Sequence, residues 1–173
     1  MIVDFPGVMM EFREVPCGEF FIFFEDGEFF EDGEANLGMK IFDAVAADKK
    51  TSIMSFSTAI HASMTPPTVL EGQFQNRSVC VVRDVVIRPP FEMNSLLSDS
   101  PSRERPGPII FGVGTTYIRA YDRRGTIDVD LRTGATEATR NHPGSTWVDN
   151  WQIVRISGSK EEILAERGKP AAA

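Results

Sequence analysis

"TYIRAYDRRGTIDVDL", Thr116 to Leu131, reads as two alternating segments around the loop Asp122-Arg123-Arg124-Gly125. Setting Tyr121 opposite Thr126 puts Arg119 opposite Asp128 and Tyr117 opposite Asp130. Ile118 and Ala120 then share the other side with Ile127, Val129 and Leu131. Both segments agree on one polar and one apolar face. That agreement fixes the register, because a slip by one residue would send every side chain to the wrong face. The stretch is an antiparallel hairpin on a half-buried sheet, and it sets the expected class as mainly β.

Strand signals continue outward from this hairpin. "GEFFIFF" (Gly18 to Phe24) is a continuous apolar run, the pattern of a strand covered on both sides. "SIMSFS" (Ser52 to Ser57) alternates, and "SVCVVRDVVI" (Ser78 to Ile87) is β-branched with a bend at Arg83 and Asp84. "NLGMKIFDAVAADKK" (Asn36 to Lys50) reads as a strand through Phe42 with an irregular continuation. Near the end, Ser159 and Glu162 form a capping box, and Gly168 and Pro170 would stop the helix they open. At about nine residues that helix is too short to stand alone, so it must dock through Ile163 and Leu164.

"SLLSDSPSRERPGP", Ser95 to Pro108, is rich in Pro and Ser and predicts a linker. The stretches on its two sides correspond. "GEFFIF" from Gly18 answers "GPIIFG" from Gly107, and "GMKIFD" from Gly38 with "KKTSIMSFSTA" from Lys49 answers "TYIRAYDRRGTIDVDLRTGA" from Thr116. "VRDVVIR" (Val82 to Arg88) answers "VDNWQIVR" (Val148 to Arg155). The expected architecture is two small antiparallel β-barrel or roll modules in tandem, 1–94 and 109–173, joined by 95–108, with the helix closing the second. This order of strands resembles that of short SH3-like β-barrel proteins of phages and bacteria. The resemblance implies the fold and a particle or host-interaction setting, and it carries no catalytic residue.

"FFEDGEFFEDGE", Phe23 to Glu34, repeats one hexapeptide. Asp26-Gly27 and Asp32-Gly33 are turn dipeptides, so an acidic hairpin over about 24–36 is expected to project from the first module. The acids miss the EF-hand offsets, and two six-residue copies cannot stack as a solenoid. Phe29 and Phe30, rimmed by acids, suit a protein contact.

The chain has 173 residues, enough for a sizeable core, and its 13 Phe against 2 Tyr and 2 Trp point to apolar interior or interface use. Net charge is −7. Residues 1–90 hold 14 acids and 7 bases, a poor match for a phosphate backbone, so nucleic-acid binding is not expected. Cys17 and Cys80 are expected as free buried thiols in a reducing compartment. No apolar run spans a membrane and the first residues lack a basic leader, so the expected location is the cytoplasm or a particle assembled from it.

Two readings of the polar face of Tyr117, Arg119, Tyr121, Asp128 and Asp130 stay open. One is a solvated face with a cross-strand Arg119–Asp128 ion pair worth about 0.2–1 kcal/mol. The other is a recognition face for a nucleobase, a phosphate or a partner's aromatic ring. Paired catalysis by Asp128 and Asp130 would need their pKa values driven apart, whereas Arg119 and Arg132 favour both ionised. His61 and His142 have no zinc spacing with each other or with the cysteines, "FGVGTT" (Phe111 to Thr116) is no phosphate loop, and Trp147 and Trp151 suit core or interface anchors. No catalytic residue, metal or cofactor is expected. The expected function is a non-enzymatic interaction or assembly protein, with self or a protein partner engaged through Phe29, Phe30, Ile163 and Leu164. A small-anion or nucleotide binding module is the alternative, and an enzyme of unrecognised type the third.

Overall fold

The structure is a computed structural model that describes residues 7–23, 36–44, 50–56, 67–70, 72, 74–89, 96–97, 106–112 and 114–167. The strands are β1 (Gly7–Glu11), β2 (Phe20–Phe23), β3 (Asn36–Asp43), β4 (Thr51–Ser55), β5 (Thr68–Leu70), β6 (Ser78–Val82), β7 (Val85–Arg88) and β8 (Leu96–Leu97). They continue as β9 (Ile109–Phe111), β10 (Thr116–Asp122), β11 (Gly125–Asp130), β12 (Ala135–Ala138), β13 (Thr146–Val148), β14 (Trp151–Ser157) and β15 (Lys160–Arg167). A 3-10 turn covers Phe12–Glu14. The mainly-β expectation holds.

Six strands close a barrel in the order β3, β4, β5, β10, β11, β12 and back to β3. Neighbours are antiparallel except at two joints, β5 with β10 and β12 with β3, which are parallel. Leu37, Met39, Ile41, Met54, Ile118, Ala120 and Val129 point into one core. A second sheet, β15-β14-β7, covers one end of it and adds Trp151 and Ile153 to that core. The Trp151 Nε1–H donates to the Gly107 carbonyl at 2.8 Å, so the plug is also tied by a buried polar bond.

Two self-contained barrels in tandem do not describe this ring. It takes β3–β5 from before the Pro/Ser-rich stretch and β10–β12 from after it. The physical reason is that a three-stranded meander has two unpaired edges, and each meander covers the other's edges through the parallel joints. The Pro/Ser-rich stretch itself contains β8, which pairs with β13.

The sequence correspondences reappear as repeated pairing. β2 pairs β3 and β6, as β9 pairs β10 and β13. Gly18 N–H donates to the Lys40 carbonyl at 2.8 Å, and Gly107 N–H to the Arg119 carbonyl at 2.7 Å. Phe42 N–H donates to Gly134 O and Tyr121 N–H to Pro67 O, at 2.9 and 2.8 Å. Ile87 pairs with Ile153 between β7 and β14, so the closing strands of the two correspondences pair with each other. Lys40 and Arg119 occupy equivalent places on β3 and β10.

The expected C-terminal helix is a strand. Gly158 (φ +60) and Ser159 form a two-residue turn, and Lys160–Arg167 runs back along β14. The helix would have been marginal alone; the strand gains a ladder with β14 and seats Leu164 and Ala165 against the barrel core. The bend expected at Arg83 and Asp84 is present, with Asp84 at φ +59 between β6 and β7. Asn36 opens β3, and the rest of the expected acidic hairpin over 24–36, with Phe29 and Phe30, lies outside the described residues.

Where Gly18 meets Gly134, backbones touch. Gly134 sits at φ +71, and a Cβ there would lie 2.5 Å from Lys40 O and 2.6 Å from Gly18 N. Gly134→Ala is therefore expected to lose about 2 kcal/mol or more, combining left-handed strain with a backbone clash. Gly144 has φ +74 but nothing within 4 Å. Gly144→Ala is the control and should lose only about 1 kcal/mol of the urea-unfolding free energy.

Candidate functional site

The expected hairpin register is present: Tyr117 pairs Asp130, Arg119 pairs Asp128, and Tyr121 pairs Thr126. Its polar face is covered over Tyr117, Arg119 and Asp128, while Tyr121 and Asp130 stay half-buried. Segment 139–147 crosses it. Thr139 Oγ1 donates to the Thr126 carbonyl, Arg119 Nη2 donates to the Arg140 carbonyl at 3.0 Å, and Arg140 N–H donates to Asp128 Oδ2 at 3.3 Å. The His142 ring lies 4.9 Å from Tyr117, and Trp147 lies 4.7 Å from the Arg119 guanidinium carbon.

Arg119 and Asp128 are thereby 0% exposed. Arg119 Nε and Nη2 donate to the two Asp128 oxygens at 2.8 and 3.1 Å, and His142 Nε2 sits 2.9 Å from Oδ2. A carboxylate so fully engaged is a structural hub. The cross-strand Arg119–Asp128 pair of the first reading is present, but it lies buried beneath the crossing segment rather than in solvent. Asp130 accepts the Arg132 and Thr133 N–H groups at 2.8 and 3.2 Å, so it caps the turn after β11. Tyr117 is buried and Tyr121 half-buried.

Lys40, at the equivalent place on β3, is also buried but has Ile53 opposite it where Arg119 has Asp128. Its Nζ donates to the carbonyls of Phe12, Arg13 and Val15 at 2.9, 3.0 and 2.7 Å, pinning the 3-10 turn to the barrel wall. Burial pushes the Lys40 amine below its ordinary value, opposed by nearby Cys17. The Cys17 and Cys80 thiols are both raised by burial. They are free, with Cys80 buried and Cys17 only partly so.

Among the described residues the barrel end away from Trp151 is open. Ile41, Val69, Ile127, Thr136 and their neighbours line a cavity of about 500 Å³ there, reached between the β3–β4 and β10–β11 hairpins. That volume falls in the range of small-molecule sites, about 300–1,000 Å³. Sequence reasoning missed it because the parallel joints that close the ring leave no local signature. The covering segment could have been suspected from His142 and Trp147 flanking a Pro-Gly turn.

Of the expected partner contacts, Ile163 on β15 is 55% exposed, while Leu164 packs against the core. Ile163 and Val86 flank Val154 across the outer sheet. On that sheet, the Arg88 guanidinium beside Glu161 holds its carboxyl below the usual range, chiefly through their hydrogen bond. A depressed folded value means the pair's contribution is complete above the unfolded pKa and is lost as pH falls through the folded one. In Arg88→Gln the Glu161 titration midpoint, followed by NMR, should move upward to the ordinary glutamate range.

Among the described residues no group of three or more His, Cys, Asp or Glu could hold a metal ion, and no helix is long and apolar enough to cross a membrane. His61 lies outside them. No protein-family model, curated protein or solved structure matches the chain.

Proposed function

We propose that the chain is a non-enzymatic binding module that takes a small molecule at the open mouth of its barrel. The observation that carries this is the cavity of about 500 Å³ with Ile41, Val69 and Ile127 in its lining. Apolar walls supply affinity, and polar groups at the opening set orientation. The test is a small-molecule screen read on the Ile41, Val69 and Ile127 methyl signals, repeated on Thr136→Trp, which fills the mouth. Hits that shift these methyls and vanish in the variant support the reading. A screen with no such shifts, or shifts that persist in Thr136→Trp, overturns it.

A second reading, self-assembly, is favoured by Ile163 at 55% and Val86 at 39% exposure on the outer sheet. The edge of β15 away from β14 is unpaired among the described residues. The resemblance to SH3-like proteins of phages and bacteria supports the same setting, a protein built into a particle. Native mass spectrometry should then show multiples of the 19.2 kDa chain that collapse to monomer in Ile163→Asp. A monomer at all concentrations in the unaltered chain would remove this reading.

A further inference from the structure

We infer that the ligand of the barrel mouth carries an anionic group on an apolar body. The inference rests on the mouth being a binding site and adds the chemistry of what enters it. Five charged side chains stand around the opening: Asp43, Asp122, Glu137, Lys50 and Arg124. By count the acids prevail, yet the protein already uses them.

Glu137 is paired with Arg140 and also lies 3.4 Å from the Tyr117 hydroxyl. Asp122 accepts the Arg124 N–H at 2.8 Å, closing the β10–β11 turn. Asp43 is engaged as well. The Lys50 and Arg124 side chains are different. Among the described residues neither has an ion-pair partner. One belongs to the β3–β4 hairpin and the other to the β10–β11 hairpin, and both line the same opening.

Other surface cations, such as Lys160, lack a partner too. What distinguishes Lys50 and Arg124 is their place at the entrance of the cavity, where an incoming anion would find two donors and its hydrocarbon the Ile41, Val69 and Ile127 side chains. Charge-assisted hydrogen bonds from ammonium and guanidinium to a carboxylate or phosphate are among the stronger polar contacts. Lys50 and Arg124 are both exposed, so their share is screened by salt, while the apolar share is not.

The experiment uses four probes with one tail: octanoate, octyl phosphate, octylammonium and octanol, titrated by calorimetry into the full chain. Either anion should bind about tenfold more tightly than octylammonium or octanol. Lys50→Gln and Arg124→Gln should each weaken the anion about three- to tenfold and leave octanol unchanged. Preference for octanoate or for octyl phosphate decides between a carboxylate and a phosphate ligand, and both support the inference. Octylammonium or octanol binding as tightly as the anions, with binding still lost in Thr136→Trp, overturns the anion inference and keeps the mouth as the site. Anion binding untouched by Lys50→Gln and Arg124→Gln overturns it as well. If no probe binds, or if Thr136→Trp changes nothing, both the inference and the site fall together.

Discussion

Asp128→Ala is expected to cost about 3–5 kcal/mol of unfolding free energy, because it leaves a buried guanidinium without its counter-charge. Arg119 is 0% exposed and two of its nitrogens bond the Asp128 carboxylate. Nη1 already lacks a partner. Removing the carboxylate would strip Nε of its bond and leave Nη2 only the Arg140 carbonyl. The segment above should loosen too, since the Arg140 N–H and His142 Nε2 both meet Asp128 Oδ2. A red shift in Trp147 emission should accompany the lost stability, with Trp151 giving a constant background.

The decisive companion is Arg119→Met with Asp128→Ile. Replacing a buried ion pair by apolar residues of similar size is often neutral or stabilising, even where breaking it is costly. The equivalent position in the other half already holds an isoleucine, Ile53, facing the barrel's own buried lysine. The double variant should therefore recover most of what Asp128→Ala loses. A double variant as unstable as the single one would mean that the pair organises segment 139–147 in a way hydrophobic packing cannot replace.

How far the fold could be read from sequence depends on the range of each signal. The β10–β11 register was legible because both strands alternate and the turn between them is short, so every constraint is local. The correspondence of the two halves was legible too, since Gly18 and Gly107, or Lys40 and Arg119, keep equivalent places in their strands. The ring was not. Phe42 beside Ala135 and Tyr121 beside Thr68 are parallel contacts between distant segments, and no periodicity encodes them. "KEEILAER" failed for a different reason. Its residues favour helix by propensity, and a two-residue Gly-Ser turn with a waiting partner strand overrode that preference. The polar face of the hairpin was placed correctly as a face and wrongly as a surface, because what covers it comes from residues 139–147.

Lys40→Met should produce the other large loss, about 3 kcal/mol, by a different route. The ammonium gives one hydrogen bond to each of three carbonyls, at Phe12, Arg13 and Val15. A bond with a charged partner contributes about 1.5–3 kcal/mol, and leaving a buried acceptor bare costs about 1–3 kcal/mol. Against this, methionine is spared the desolvation of a charge, which burial makes costly at Lys40. The net is thus well below the sum of three bonds. Phe12 and Val15 are buried, and Phe12 packs with Phe21, Ile53 and Val79 in a satellite cluster beside the barrel. The loss should therefore not stay local: if the 3-10 turn lifts away, those side chains lose their cover. Amide exchange tells the outcomes apart. Faster exchange confined to residues 12–15, with an unchanged urea midpoint, would show that the turn is dispensable to the barrel and would overturn the prediction. A lowered midpoint with an unchanged slope would show that one ammonium on β3 couples the first wing of the sheet to the ring.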